Sequence, residues 1–229
     1  MLNFIHTKKL NISDQLKLEE HLLRHSDESY CLINDGTSKA VVLGISNDIK
    51  ALVKNKDLKK DKILLIKRFT AGGCVFVDEN TLFITFIFSK KSLDIIFFPE
   101  SILRWAEKFY KKVFEIENFK LIENDFVIDN KKIAGNAMYI KKDRFLLHTS
   151  FLLDFDIEKM KKYLKIPKVA PKYRKNRSHE CFLFSISKMF SKEVFVSKIK
   201  KVLQKTFLVK PLNILDTKEV EKEYSTKFL

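Results

Sequence analysis

Cysteine is too scarce here to hold a fold together. Cys31, Cys74 and Cys181 are few and widely spaced, and there is no C-x-x-C pair. That removes support for a disulfide framework and for a structural zinc site, and it favours a reducing compartment. Glycine and proline are nearly as rare, with 5 and 4 residues in the 229-residue chain, so no low-complexity linker is present. No apolar run approaches the ~20 residues that a membrane-spanning helix needs. The longest, around Leu82 to Phe88, is interrupted by Thr85, and residues 1–10 lack the apolar stretch of a secretion signal. The expectation is a soluble, cytoplasmic protein without a membrane partner. Arginine is scarce beside lysine, although the net charge is +15. Nucleic-acid binding sites favour arginine and aromatic side chains together, so nucleic acid is not the expected partner.

Apolar side chains are plentiful. Hydrophobic residues make up 45% of the chain, and 21 are phenylalanine, enough for a substantial core. The pattern predicts a helix capped by Ser13 and running to about His25, with Leu16, Leu22 and Leu23 facing inward. Tyr30 to Ile33 and Ala40 to Ile45 read as strands on either side of the turn residues Asn34-Asp35-Gly36. A short helix is expected over Asn47 to Lys54, a strand over Ile63 to Ile66, and a strand buried on both faces over Thr81 to Phe88. Pro99 opens a helix to about Val113, with Ile102, Trp105, Ala106, Phe109 and Val113 as its apolar stripe.

Strands are expected at Phe119 to Ile122, Phe126 to Ile128, Lys131 to Ile140 and Phe145 to Leu153, with Asp129-Asn130 as a hairpin turn. Asp156 caps a helix to about Leu164. A basic loop, Lys165 to His179, precedes helices at Ser191 to Phe207 and Thr217 to Phe228. Tight turns join many of the strands. The fold class that follows is α+β, with a mixed, largely antiparallel sheet flanked by helices. The chain reads as a single domain over residues 1–229, with residues 208–229 a short helical tail.

The few glycines mark the chemistry. Gly72 and Gly73 follow Arg68 and Thr70 in a loop between strands, and Gly135 follows Lys132 on a later strand. A glycine turn lets backbone N–H groups approach an anion, and Arg68 offers bidentate contact to phosphate or carboxylate. The spacing matches neither the P-loop nor the dinucleotide fingerprint. Asn124 and Asp125 place an amide and a carboxylate at a strand start, suited to a base edge or to hydrated Mg²⁺. Lys132, on a rigid strand, is placed to neutralise charge developing on a phosphorus or carboxyl oxygen.

Taken in order, four stretches resemble the lipoate–protein ligase family of the biotin/lipoate ligase superfamily. They are Lys67 to Asp78, Asn124-Asp125, Lys132 to Ala137, and His148-Thr149-Ser150-Phe151-Leu152. The opening helix, Val41 to Gly44 and Ala170 to Arg174 are also similar, so the resemblance covers about residues 10–205.

The resemblance implies a catalytic domain of that family's fold and an ATP-dependent reaction, with lipoate as substrate and Mg²⁺ as cofactor. Lipoate, or octanoate, would be activated to an acyl-adenylate and passed to a lysine of an acceptor lipoyl domain. Acceptors would be E2 subunits of 2-oxoacid dehydrogenases or the glycine cleavage H protein. Lys132 is the implied catalytic residue. Arg68, Gly72, Gly73, Val75, Phe76, Asp78, Asn124, Asp125, Asn136, Ala137 and His148 would join it in holding ATP and the acyl-adenylate, with Asp125 toward the metal. The large C-terminal accessory domain of some members would be missing.

This chain departs from the family pattern at Lys67, Ala71, Cys74 and Val77. Ala71 stands where glycine is usual, which matters if that position needs positive φ. Cys74 admits an alternative, an ATP-independent acyl transfer through a cysteine thioester. A second alternative is a non-catalytic binding domain. Lys165, Lys168, Lys172, Arg174 and Lys175 form a basic surface suited to an acidic acceptor.

Overall fold

A computed structural model describes residues 1–167, 170–217 and 224–229. The chain opens with β1 (Leu2–Lys8), α1 (Ile12–His25), β2 (Tyr30–Asp35) and β3 (Ala40–Leu43). Next come α2 (Ile49–Leu52), α3 (Asn55–Lys60), β4 (Leu64–Lys67), β5 (Cys74–Val77), β6 (Thr81–Ser89) and α4 (Pro99–Phe114). The strands β7 (Phe119–Ile122), β8 (Asp125–Ile128), β9 (Lys131–Ile140) and β10 (Arg144–Leu152) follow. After them stand α5 (Ile157–Tyr163), α6 (His179–Phe182), α7 (Lys192–Thr206), β11 (Val209–Pro211) and β12 (Lys227–Phe228).

Eight strands form the main sheet in the order β11-β1-β2-β6-β10-β9-β8-β7, and β12-β4-β3-β5 form a smaller one. The main sheet is antiparallel from β2 to β7 and parallel only where β1 meets β11 and β2. This is the mixed, largely antiparallel α+β architecture that the turn pattern implied. The parallel β1–β2 pair needs a crossover, and α1 supplies it.

Most predicted elements are present with small shifts. Asn11, not Ser13, caps α1; its side chain accepts the Ser13 N–H. Asp129 and Asn130 both take positive φ, as a two-residue hairpin turn requires. β2 and β3, expected as neighbours across a turn, lie in different sheets; Gly36 (φ +82°) allows the chain to leave one for the other. The strand β1 carried no sequence assignment. Its apolar residues Leu2 and Ile5 are buried, and its partners lie far along the chain.

The tail corrects the helical expectation for residues 208–229. Val209–Pro211 is a strand, Ile214–Asp216 a single 3₁₀ turn, and Lys227–Phe228 a strand paired with β4. The rest of the expected Thr217 to Phe228 helix falls mainly on residues 218–223, outside the described residues. Backbone pairing to the open edge of β4 outweighs weak local helical periodicity there. No helix among the described residues is long and apolar enough to cross a membrane.

The core packs α4 and α7 against one face of the main sheet. Ile102, Ala106, Phe109 and Val113 are buried as expected, while Trp105 is only partly covered. Aromatic edges and faces interlock here. Tyr110 meets Phe151 edge-on, with centroids 4.9 Å apart, and Phe114 stacks on Phe119 at 4.8 Å. α1 and the small sheet cover the opposite face and leave a cavity between the layers.

Candidate active site

The cavity measures about 570 Å³. Arg68, Gly72, Gly73, Val75, Phe76, Asn124, Asp125, Lys132, Asn136, Ala137 and His148 all line it. Residues from β4 to β10 thus meet because the small sheet folds over the cavity face of β9 and β10.

Asp78 does not join them. Its backbone N–H donates to Thr81 Oγ1, its carbonyl accepts from Thr37 and Thr81, and its carboxylate accepts the Asn80 N–H at 2.9 Å. It builds the turn between β5 and β6. It is not among the residues that line the cavity: a buried aspartate entering a turn serves the backbone before it serves a ligand.

The glycine loop is held from within. Arg68 Nη2 donates to the carbonyls of Gly73 (3.0 Å) and Ala71 (3.3 Å), and Nη1 reaches Val42 O at 3.5 Å. Its Nε has no partner. Arg68 is 5% exposed, and burial brings its pKa down to about 10. The guanidinium therefore shapes the loop rather than presenting a free fork to a ligand. A buried cation that makes no direct ion pair among the described residues still gives the site a field that favours an anion.

Gly72 takes φ +126°, and a Cβ there would sit 2.5 Å from Arg68 Nη2. Ala71 needs no such freedom. It is not among the described positive-φ residues, and its N–H donates to Met138 O at 3.3 Å. The alanine in place of glycine is therefore unstrained.

Lys132 stands at the cavity mouth with its side chain 23% exposed, and Nζ lies 2.8 Å from Asp125 Oδ1. Strand pairing sets Asp125 opposite Gly135 and Val127 opposite Lys132, with a bulge between Phe126 and Val127. Gly135 supplies space rather than φ: an added Cβ would lie 3.3 Å from Lys132 Nζ. Asn136 ties β9 to β10 and to the turn before β8. Its Nδ2 donates to Asn124 O at 2.9 Å, and its Oδ1 accepts from Thr149 at 2.7 Å.

Both oxygens of Asp125 are engaged, because Tyr173 OH donates to Oδ2 at 2.8 Å. No group of three potential metal-binding side chains occurs among the described residues. A Mg²⁺ at Asp125 would therefore have to take an oxygen from Lys132 or Tyr173.

Beyond the mouth the cavity turns apolar, between Leu16, Val42, Phe76 and Phe83. One polar cluster interrupts it. Glu19, fully buried, accepts from Gln15 Nε2 (2.7 Å), Thr85 Oγ1 (2.7 Å) and His148 Nδ1 (2.9 Å). The carboxylate holds the Nδ1 side of the His148 ring and so fixes the ring's orientation at the cavity wall. Sequence reading named His148 and missed Glu19 and Thr85. A signal existed: Glu19 and Glu20 fall on the stripe of Leu16 and Leu23, so helical period puts two carboxylates inside.

Cys74 sits on β5, and burial pushes its thiol up to about 12, so it is neutral at physiological pH. Arg174, assigned to an outer basic surface, is buried, lines the cavity and lies over the Phe182 ring at 4.9 Å. Lys165, Lys172 and Lys175 are exposed, and Lys168 lies outside the described residues.

The model of the lipoyl protein ligase A/B catalytic domain matches residues 11–208. The chain is 28% identical to a Plasmodium falciparum protein named inactive lipoate–protein ligase 2, over 88% of this chain and 68% of that one. It is 32% identical to a probable lipoate–protein ligase A of Mycoplasma pneumoniae, over 66% of this chain but only 45% of the relative. The fold is shared with a lipoate–protein ligase A crystallised with ATP, at TM-score 0.75 and 20% identity over 94% of this chain and 89% of that one. It is shared too with a chain from a study of a bipartite Thermoplasma acidophilum ligase and its E2 lipoyl domain, at TM-score 0.76 and 20% identity over 94% and 87%. With its loop, lysine strand and cavity assembled in that fold, the chain belongs to the family of lipoyl protein ligase A/B catalytic domains.

Proposed function

We propose that this protein activates lipoate, or an acid of similar length such as octanoate, with ATP and transfers the acyl group to a lysine of a lipoyl domain. The observation that carries the reading is the Lys132 ammonium, held by Asp125 at 2.8 Å where the glycine loop meets an apolar cavity. The substrate carboxylate attacks the α-phosphorus, the bond to pyrophosphate breaks, and acyl-adenylate forms. The acceptor amine then attacks the acyl carbon, AMP leaves, and the amine proton passes to solvent. In both steps negative charge grows on oxygens near Lys132, where a preorganised ammonium is most useful. The apolar wall accepts the hydrocarbon chain, and the glycine loop faces the phosphates. No protein nucleophile is needed.

A cysteine thioester route is disfavoured by Cys74, whose neutral thiol is the wrong form for attack. Mg²⁺ would have to arrive with the nucleotide phosphates, since Asp125 is already engaged on both oxygens.

The relative named as inactive makes turnover the decisive measurement. Purified protein with lipoate, ATP and Mg²⁺ should release pyrophosphate, and mass spectrometry should show a lipoyl domain gaining the acyl mass. Absence of both products would overturn the reading. Acyl transfer without pyrophosphate release would restore the thioester route.

A further inference from the structure

Residues 170–184 are pinned across both turns of β8, on the strand pair that carries the candidate active site. The backbone N–H of Tyr173 donates to Glu123 Oε1 at 3.2 Å, before β8, and its hydroxyl donates to Asp125 Oδ2 at 2.8 Å, on β8. Arg177 Nη2 bridges Tyr173 O (2.8 Å) to Asn130 O (2.9 Å), after β8. Phe184 N–H closes the segment onto Lys132 O at 2.9 Å. The Tyr173 ring packs on Phe182, with centroids 5.2 Å apart. These contacts fix the Tyr173 hydroxyl against the Asp125 carboxylate, whose other oxygen holds Lys132 Nζ at 2.8 Å.

We infer that Tyr173 is a positioning residue for Lys132: through Asp125 it makes the alignment of the ammonium depend on the folded state of the 170–184 segment. Asp125 alone has rotational freedom about its side-chain bonds. A second hydrogen bond from a group fixed on a different segment removes it. Burial and the Asp125 charge hold the phenol well above its usual pKa, so it stays a donor throughout the working pH range. When an anionic ligand draws the ammonium away from Asp125, Tyr173 still partners the carboxylate, which lowers the cost of the exchange.

The inference rests on the proposed ligase reading for its effect on rate, but not for its geometry, and the test separates the two. Ligand-free full-length protein is treated with limiting acetic anhydride, and acetylation of Lys132 is measured by mass spectrometry against exposed Lys120. Tyr173→Phe keeps the ring on Phe182, and circular dichroism checks the fold. Asp125→Asn removes the charge partner. Lys132 labelling should rise at least about three-fold in either variant, and the double variant should rise no further, because both act through one linkage. With lipoate and ATP, Tyr173→Phe should lower kcat for pyrophosphate release about ten-fold and leave the lipoate KM within about two-fold. Increased labelling in Asp125→Asn but not in Tyr173→Phe would overturn the inference. Additive labelling in the double variant would overturn it as well. Coupled labelling in a protein that releases no pyrophosphate would uphold the positioning role and remove the ligase reading.

Discussion

Along β6, Leu82, Ile84, Phe86 and Phe88 pack toward α4 and α7, while Phe83, Thr85 and Ile87 point to α1 and the cavity. β10 alternates in the same way. Phe145, Leu147 and Phe151 join the aromatic core, whereas His148 and Ser150 line the cavity. One sheet therefore carries two regions with different chemistry. On the α4 face, close packing decides which residues fit. On the cavity face a buried carboxylate, a histidine and a threonine must all be hydrogen-bonded, a weaker stabilising device than apolar packing. Of this polar cluster, His148 reaches the cavity wall.

Substitutions on the two faces should separate stability from activity. The largest effect is expected for Phe151→Ala, where a buried ring in contact with Tyr110 and Phe195 is lost. It should cost about 3–5 kcal/mol in denaturant unfolding. A loss below about 1 kcal/mol would mean that the aromatic layer does not act as a packed core. Lys132→Ala on the other face should lower pyrophosphate release by about 100- to 1000-fold. Its unfolding midpoint should stay close to wild type, since the side chain is partly exposed. Equal losses in rate and stability would erase the distinction between the faces.

Glu19→Ala probes a position where the two roles overlap. It strips the carboxylate from Gln15, Thr85 and His148, and should cost about 1–3 kcal/mol by urea titration. Unchanged stability would show that those donors find other partners. The smallest effect concerns thiols. With iodoacetamide near pH 8, exposed Cys181 should react at least about ten-fold faster than Cys74, whose pKa burial raises to about 12. Rapid alkylation of Cys74 would mean that the cavity is more open than its buried thiol implies.

Much of this was legible in the chain. An almost wholly apolar run rich in β-formers gave β6, Pro99 and its stripe gave α4, and Asp129-Asn130 gave the turn that carries Lys132 onto β9. Those signals are local, set by periods of two and 3.6 residues and by turn geometry. Glu19 was hidden because a glutamate in an amphipathic helix is normally solvated. Only its helical phase hinted otherwise. Tyr173 lay in a loop without periodicity, and its target stands 48 residues away along the chain. β12 escaped detection because an edge strand is specified by the backbone it pairs with rather than by its own side chains.

The sequence by itself determined most of the elements between α1 and α7, the apolar layer and the order of the loop, the Asn-Asp pair and the lysine strand. Local sterics and burial fix these wherever the chain folds. Only the tertiary structure decided what the residues do once together. It turned Arg68 inward onto its loop carbonyls and left Asp78 in a turn. It also closed Asp125 between Lys132 and Tyr173. Each outcome depends on distances of about 3 Å between segments remote in sequence, which hydrogen-bond geometry resolves and residue order does not encode.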